Sequence, residues 1–353
     1  MRGVPLKQHQ VLAVTILALF ALVAGTNGCT LFESEQVAKG RKLYRHYCMH
    51  CHGESGRQNE GFNWATMPDP RPRDLSEEAA MSTFSDEEIF HTISREMKDT
   101  TDQAVLDDED YFAVPTMPTF KYTLSEDEIW SVVSFVRSLH GMSLSYDVDG
   151  RKKKLEEAFQ VAQQEFDQAT QALEAAEAKL EEAEAAAEEA EETEEDIEGD
   201  EDADLEEDEE EIVLPEEIAL EEAEEKFEDE KTALENFTKR PRQGQISRPD
   251  LTVSDTERGR LEQVGKHLYE NQYGCNACHS LNNIGGLVGP ELDRAGFRLN
   301  EAWIYRWIMY PQGMKKKTRM PNLGINEEDA KALTLYLKTL RAPKPDDPIP
   351  PPN

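Results

Sequence analysis

The chain has 353 residues, with 73 Asp and Glu against 38 Lys and Arg and a formal net charge of -35. That length allows two or three domains, but the acid is not shared among them: residues 156–235 hold 37 acidic side chains against Lys179, Lys226 and Lys231, a net of -34. The rest is close to neutral, and a chain whose concentrated charge has the sign of phosphate is not expected to have a nucleic-acid partner.

In chain order, residues 1–28 come first and read as an export signal or membrane anchor. Arg2 and Lys7 give a positive start, and 11–25 is apolar apart from Thr15. The run is shorter than the roughly 20 residues of a comfortable membrane span. Cys29 follows Thr26-Asn27-Gly28, where bacterial lipoproteins carry the cysteine that is acylated after cleavage. The likeness is partial: Gly28 fits, whereas the pattern prefers an aliphatic residue at Thr26 and a small one at Asn27. Lipidation at Cys29, cleavage near Ala24 and an uncleaved anchor all stay open.

Residues 34–47 read as a helix with Val37, Gly40, Leu43, Tyr44 and Tyr47 on one face. It leads into Cys48-Met-His-Cys51-His52, and the same C-x-x-C-H spacing returns at Cys275-Asn-Ala-Cys278-His279. Two thiols at this spacing reach the vinyl groups on one edge of a porphyrin, and the following imidazole comes under the iron, which makes the pattern the attachment signature of haem c. Four thiolates on zinc are a rival reading. It needs pairs more than two hundred residues apart to meet, and it gives the two histidines no role. A thioredoxin-like redox pair would need a strand-helix-strand scaffold, which neither pair has.

After the first motif the chain is rich in Pro, Asp and Thr, with a short helix over 85–97 started by Ser85 and Glu88. A terminal helix over 126–140 is started by a capping box of Ser125 and Glu128 and carries Ile129, Trp130, Val133, Phe135, Val136 and Leu139 on its apolar side. Ahead of it stands Met117-Pro118. His50 and His91 read as surface histidines. The segment 256–342 repeats the plan: Gly265 and Tyr269 precede Cys275, Asn326 and Asp329 cap a last helix, and Met320-Pro321 stands ahead of it.

This arrangement resembles the class I cytochromes c over 35–141 and 256–342. The resemblance implies small all-α domains with the haem completing the core, and glycine at a close crossing of first and last helices. It implies a second axial ligand from the methionine before the last helix, Met117 and Met320, with Met67, Met309 and Met314 as rivals. A neutral thioether raises the potential relative to a second histidine. It also implies that Pro290, in Gly289-Pro290-Glu291-Leu292, offers its carbonyl to the imidazole of His279. The expected iron ligands are thus His52, Met117, His279 and Met320, with two haem c groups held by Cys48, Cys51, Cys275 and Cys278.

Between the domains, Leu155, Phe159, Ala162, Phe166, Ala169, Leu173, Ala176, Leu180, Ala183, Ala187 and Ala190 alternate steps of four and three. This is a coiled-coil seam. Residues 191–211 are nearly all acid and expected to be disordered, and a weaker repeat follows through Leu220, Ala223, Phe227, Leu234 and Phe237. The insert 151–240 is expected to be a helical hairpin with a floppy tip, its first arm about 60 Å long if about 40 residues are helical. An all-disordered linker is the other reading. A Pro-rich tail, 343–353, ends the chain.

The expected function is single-electron transfer on the periplasmic side of a bacterial membrane, between redox-protein donors and acceptors, alone or in a respiratory complex. A diheme peroxidase is the alternative; it needs an iron able to free a position for peroxide. Lys315, Lys316, Lys317 and Arg319 are expected to make the exposed rim of the second haem basic.

Overall fold

The computed structural model describes residues 33–57, 59–61, 71–95, 117–194, 214–242 and 249–342, and side chains on the long helix as far as 186. The leader, Cys29, the rival Met67, most of the acidic run and the Pro-rich tail lie outside the described residues. The expected all-α class holds, with two helical domains flanking a helical insert. A single antiparallel pair of two-residue strands, β1 (Ser280–Leu281) and β2 (Ile284–Gly285), is present among the described residues. No described helix is long and apolar enough to cross a membrane.

The first domain is built on the crossing of α1 (Glu35–Tyr47) and the terminal helix of the domain. Ser34 caps α1, its hydroxyl accepting from the Val37 N–H at 3.2 Å, as the residue type dictates. The short helices α2 (Met49–His52), α3 (Glu78–Met81) and α4 (Asp86–Ser94) come next, then α5 (Glu126–Leu139). Capping boxes start both α4, through Ser85 and Glu88, and α5, through Ser125 and Glu128. At the α1–α5 crossing a Cβ on Gly40 would lie 1.8 Å from the Ser131 carbonyl oxygen, so no larger residue fits. Tyr44, one turn on, is fully buried with its ring 5.0 Å from that of Phe135.

One polar brace ties this core together. Arg137 on α5 donates from Nε to Asp86 Oδ1 at 2.6 Å and from its other nitrogens to the Met81 and Phe84 carbonyls. The second oxygen of Asp86 accepts from the backbone and hydroxyl of Ser145 and from the Tyr146 N–H. Tyr146 in turn stacks on Trp130 at 3.8 Å, and Trp130 on Phe90 at 4.4 Å.

The insert is a hairpin of α6 (Val148–Glu194) and α7 (Pro215–Thr238). Pro215 stands at the first helical position, where its missing N–H costs nothing. Phe227 packs between Phe159 and Phe166, at 5.5 and 5.4 Å. Burial along the seam fades outward: Leu155 and Ala162 are buried, Leu173 is half-buried and Leu180 is exposed. The root is not separate from the first domain. Val148, Leu155 and Phe237 belong to its core, and Arg240 makes two hydrogen bonds to Glu128, at 2.7 and 2.8 Å.

The second domain repeats the crossing. The helix α8 (Asp255–His267) runs through a π turn (Leu268–Gln272) and a 3-10 turn (Cys275–Ala277). Then come the small helices α9 (Ala295–Arg298), α10 (Glu301–Met309) and α11 (Pro311–Met314), and last α12 (Glu327–Thr339), capped by Asn326. A Cβ on Gly265 would lie 2.1 Å from the Ala332 carbonyl oxygen, and Tyr269 packs on Tyr336 at 5.7 Å. The two domains meet directly. Asn322 donates its N–H to Thr123 Oγ1 at 2.9 Å, and Gly324, at φ +66°, lies flat on the Tyr122 ring, 2.2 Å from where its Cβ would be.

Candidate functional site

Each C-x-x-C-H segment is wound into a single turn. The His52 N–H donates to the Cys48 carbonyl at 3.0 Å, and the His279 N–H to the Cys275 carbonyl at 2.9 Å. A turn of this kind turns side chains three apart to one side, which is what two bonds to one cofactor edge require. The preceding tyrosine fixes each turn from behind: Tyr44 donates to the Gly53 carbonyl at 2.8 Å and Tyr269 to the His279 carbonyl at 3.4 Å.

Burial governs the chemistry of the thiols. It pushes Cys48, Cys275 and Cys278 up to about 12 and Cys51 up to about 11, so all four are protonated at ordinary pH. Among the described residues, no three of His, Cys, Asp or Glu converge on a metal.

The first motif opens on a cavity of about 420 Å³. Cys48, Cys51 and His52 form part of its wall, Met117 is another part, and Ile89, Ile93 and Phe120 are among the apolar residues that line the rest. Arg71, Arg73, Arg95 and Arg319 also line it. An apolar slot with cations at its border suits a flat, apolar ring that carries carboxylates, and haem has that form. Burial lowers the pKa of His52, partly offset by the Arg73 backbone, so its imidazole is neutral. His52 Nδ1 is buried with no partner in hydrogen-bonding geometry among the described residues.

In the second domain the imidazole is tied. His279 Nδ1 lies 2.7 Å from the Pro290 carbonyl oxygen. Burial lowers the pKa of this histidine and the Pro290 carbonyl raises it in part. The neutral ring donates from Nδ1 and keeps the Nε2 lone pair for a metal, the usual way a backbone carbonyl sets the tautomer of a ligand. A Cβ on Gly289 would be 2.3 Å from His279 Cε1, so the ring rests against bare backbone.

Of the methionines, Met309 is buried in the second core and Met314 is exposed. Met320 is half-buried, with its sulfur accepting from Trp307 Nε1 at 3.0 Å and its carbonyl accepting from Gln312 at 2.6 Å. One sulfur lone pair is thereby used and the other is left for a metal. The Trp307 contact had no signal in the sequence, since it joins α10 to a loop across a tertiary gap.

One expectation needs correction. His50 is buried, 3 % exposed, beside His46 and Arg319, because the second domain covers this end of α2. His91 is exposed as expected. Lys315, Lys316, Lys317 and Arg319 are all exposed as expected, and Arg319 also lines the first cavity.

The cytochrome c family model matches residues 37–140 and 263–341, just over half of the chain, and the chain belongs to that family. Its members carry electrons on covalently attached haem c, and the two matched stretches are the two domains described above. No curated protein and no solved structure matches the chain.

Proposed function

We propose that the protein is a two-haem electron carrier held on the periplasmic side of a bacterial membrane, passing single electrons between protein partners in a respiratory chain. One haem joins Cys48 and Cys51 with His52 on the iron, and the other joins Cys275 and Cys278 with His279 on the iron. Met117 and Met320 would complete the ligand sets, and Pro290 orients the second imidazole. Bound there, the haem supplies a one-electron couple; the protein fixes its ligands, excludes water and sets its charge surroundings.

The observation that carries the reading is the apolar cavity walled by Cys48, Cys51, His52 and Met117, together with a second motif whose imidazole is oriented by Pro290. Two sulfur-closed irons suit transfer of electrons. A peroxidase would need one of them open. Attachment to the membrane comes through Cys29 or the apolar run before it, and a quinol-oxidising complex is the donor this placement favours.

The test is a denaturing gel stained for haem together with carbon monoxide titration of the reduced native protein. Two haems per chain, halved by Cys48→Ala with Cys51→Ala, and no carbon monoxide spectrum are expected. Zinc without haem stain would end the reading, and carbon monoxide binding with peroxide turnover would transfer it to the peroxidase.

A further inference from the structure

The segment that carries Met320 is wedged between the two domains. Met320 itself turns to Trp307, within the second domain, whereas its neighbours Arg319 and Pro321 both line the cavity of the first. Ala277, Cys278 and Val288, from the second attachment motif and the loop after it, line that same cavity. The segment is pinned on either side: His46 Nε2 lies 3.5 Å from the Thr318 carbonyl, and Asn322 donates to Thr123. Thr123, Thr318, Asn322 and Leu323 are all buried.

We propose that the first haem site is shared between domains, with Cys278, Val288, Arg319 and Pro321 closing it, so that the two haems meet at the boundary and each responds to the charge of the other. This rests on the two-haem reading above and goes beyond it in assigning second-domain residues to the first site. Arg319 is the charged member of the closing set. Arg319 is exposed, so water screens part of its charge, but it lines the cavity, where a cation favours the reduced, less positive state of the first haem.

The experiment uses the full chain, after haem staining has shown two haems, so that failure of the haem reading is detected first. Circular dichroism in the Soret region of the native protein should give a two-signed band, the mark of two coupled porphyrins; a single-signed band would overturn the proposal. In a redox titration, Arg319→Gln should lower the midpoint of the first haem by more than that of the second, and Arg319→Lys should restore it. The chain with Cys48→Ala and Cys51→Ala retains only the second haem and identifies its wave. Movement of the second wave alone, or of neither, would sink the shared site. Each variant is checked for an unchanged α-band before its midpoint is compared.

Discussion

At the scale of single residues, the Asp86–Arg137 pair is the costliest to disturb. Both side chains are buried, 3 % and 4 % exposed, and together they join α3, α4, α5 and the approach to the hairpin. Removing one partner strands the other: Asp86→Ala should destabilise the first domain by about 3–5 kcal/mol, read from thermal melts in the Soret band. Burial pushes the Asp86 carboxyl up, but the Ser145 and Arg137 hydrogen bonds outweigh it and hold the pKa below the ordinary value. The unfolded chain therefore takes up the proton first, so this contribution is complete above the ordinary carboxylate range, about 4, and is lost as pH falls through the lower folded value. Asp86→Asn should be less stable at neutral pH and show a shallower acid loss than the parent; equal slopes would discount the pair. Trp307 makes a subtler contribution. By taking one lone pair of Met320 it draws density from the sulfur, so Trp307→Phe should lower the second midpoint and alter the sulfur-to-iron charge-transfer band, with Met320→His lowering it further. The C-x-x-C-H residues, the capping serines and the two crossing glycines were legible because each acts through local spacing. Trp307 and Arg319 were not, because a side chain's partner across a gap leaves no period in the sequence.

At the scale of elements, the hairpin is partly what its pattern promised. The alternation of four and three puts one face inward, and Phe159, Phe166 and Phe227 fill it where the two helices run side by side. Alanine buries little, and this is why the outer seam is exposed. The sequence did not show that the root belongs to the first domain, since Phe237 and Arg240 lie some two hundred residues from Gly40 and reveal their place only in three dimensions. Deleting the whole of 156–235 would remove Ala233 and Leu234, which pack against the first core, and most of the helix that holds Phe237 in it, and so damage that domain. A shorter cut, 177–214 replaced by a glycine-rich turn, spares Phe159, Phe166, Phe227 and Phe237 while removing 22 acidic residues and Lys179. If the arm draws in a basic partner, this variant should keep both haems and their spectra and deliver electrons more slowly to a basic cytochrome at low salt, with the difference vanishing at high salt. Equal rates at low salt would reduce the arm to a spacer.

At the scale of the whole molecule, two domains of one family face each other across a boundary made by the loop before the last helix of the second. Their internal likeness could be read from repeated motifs. Their mutual placement could not, because Thr123, Asn322 and Gly324 carry no motif. Membrane attachment is tested on the intact chain: radioactive palmitate should label it and not its Cys29→Ser variant, and an unlabelled protein recovered wholly in the soluble fraction would count against both lipid and anchor.

The hairpin's root also sets the order in which the first domain is completed. Phe237 is fully buried in the first core and Arg240 is bound to Glu128 at the start of α5. That core cannot close until the chain has emerged about a hundred residues beyond the end of α5, and contacts so far apart in sequence form late. During that interval the core behind Cys48 lacks Phe237 and α5 lacks its ion pair to Arg240, so the first domain is completed only when the second arm of the hairpin folds back onto it.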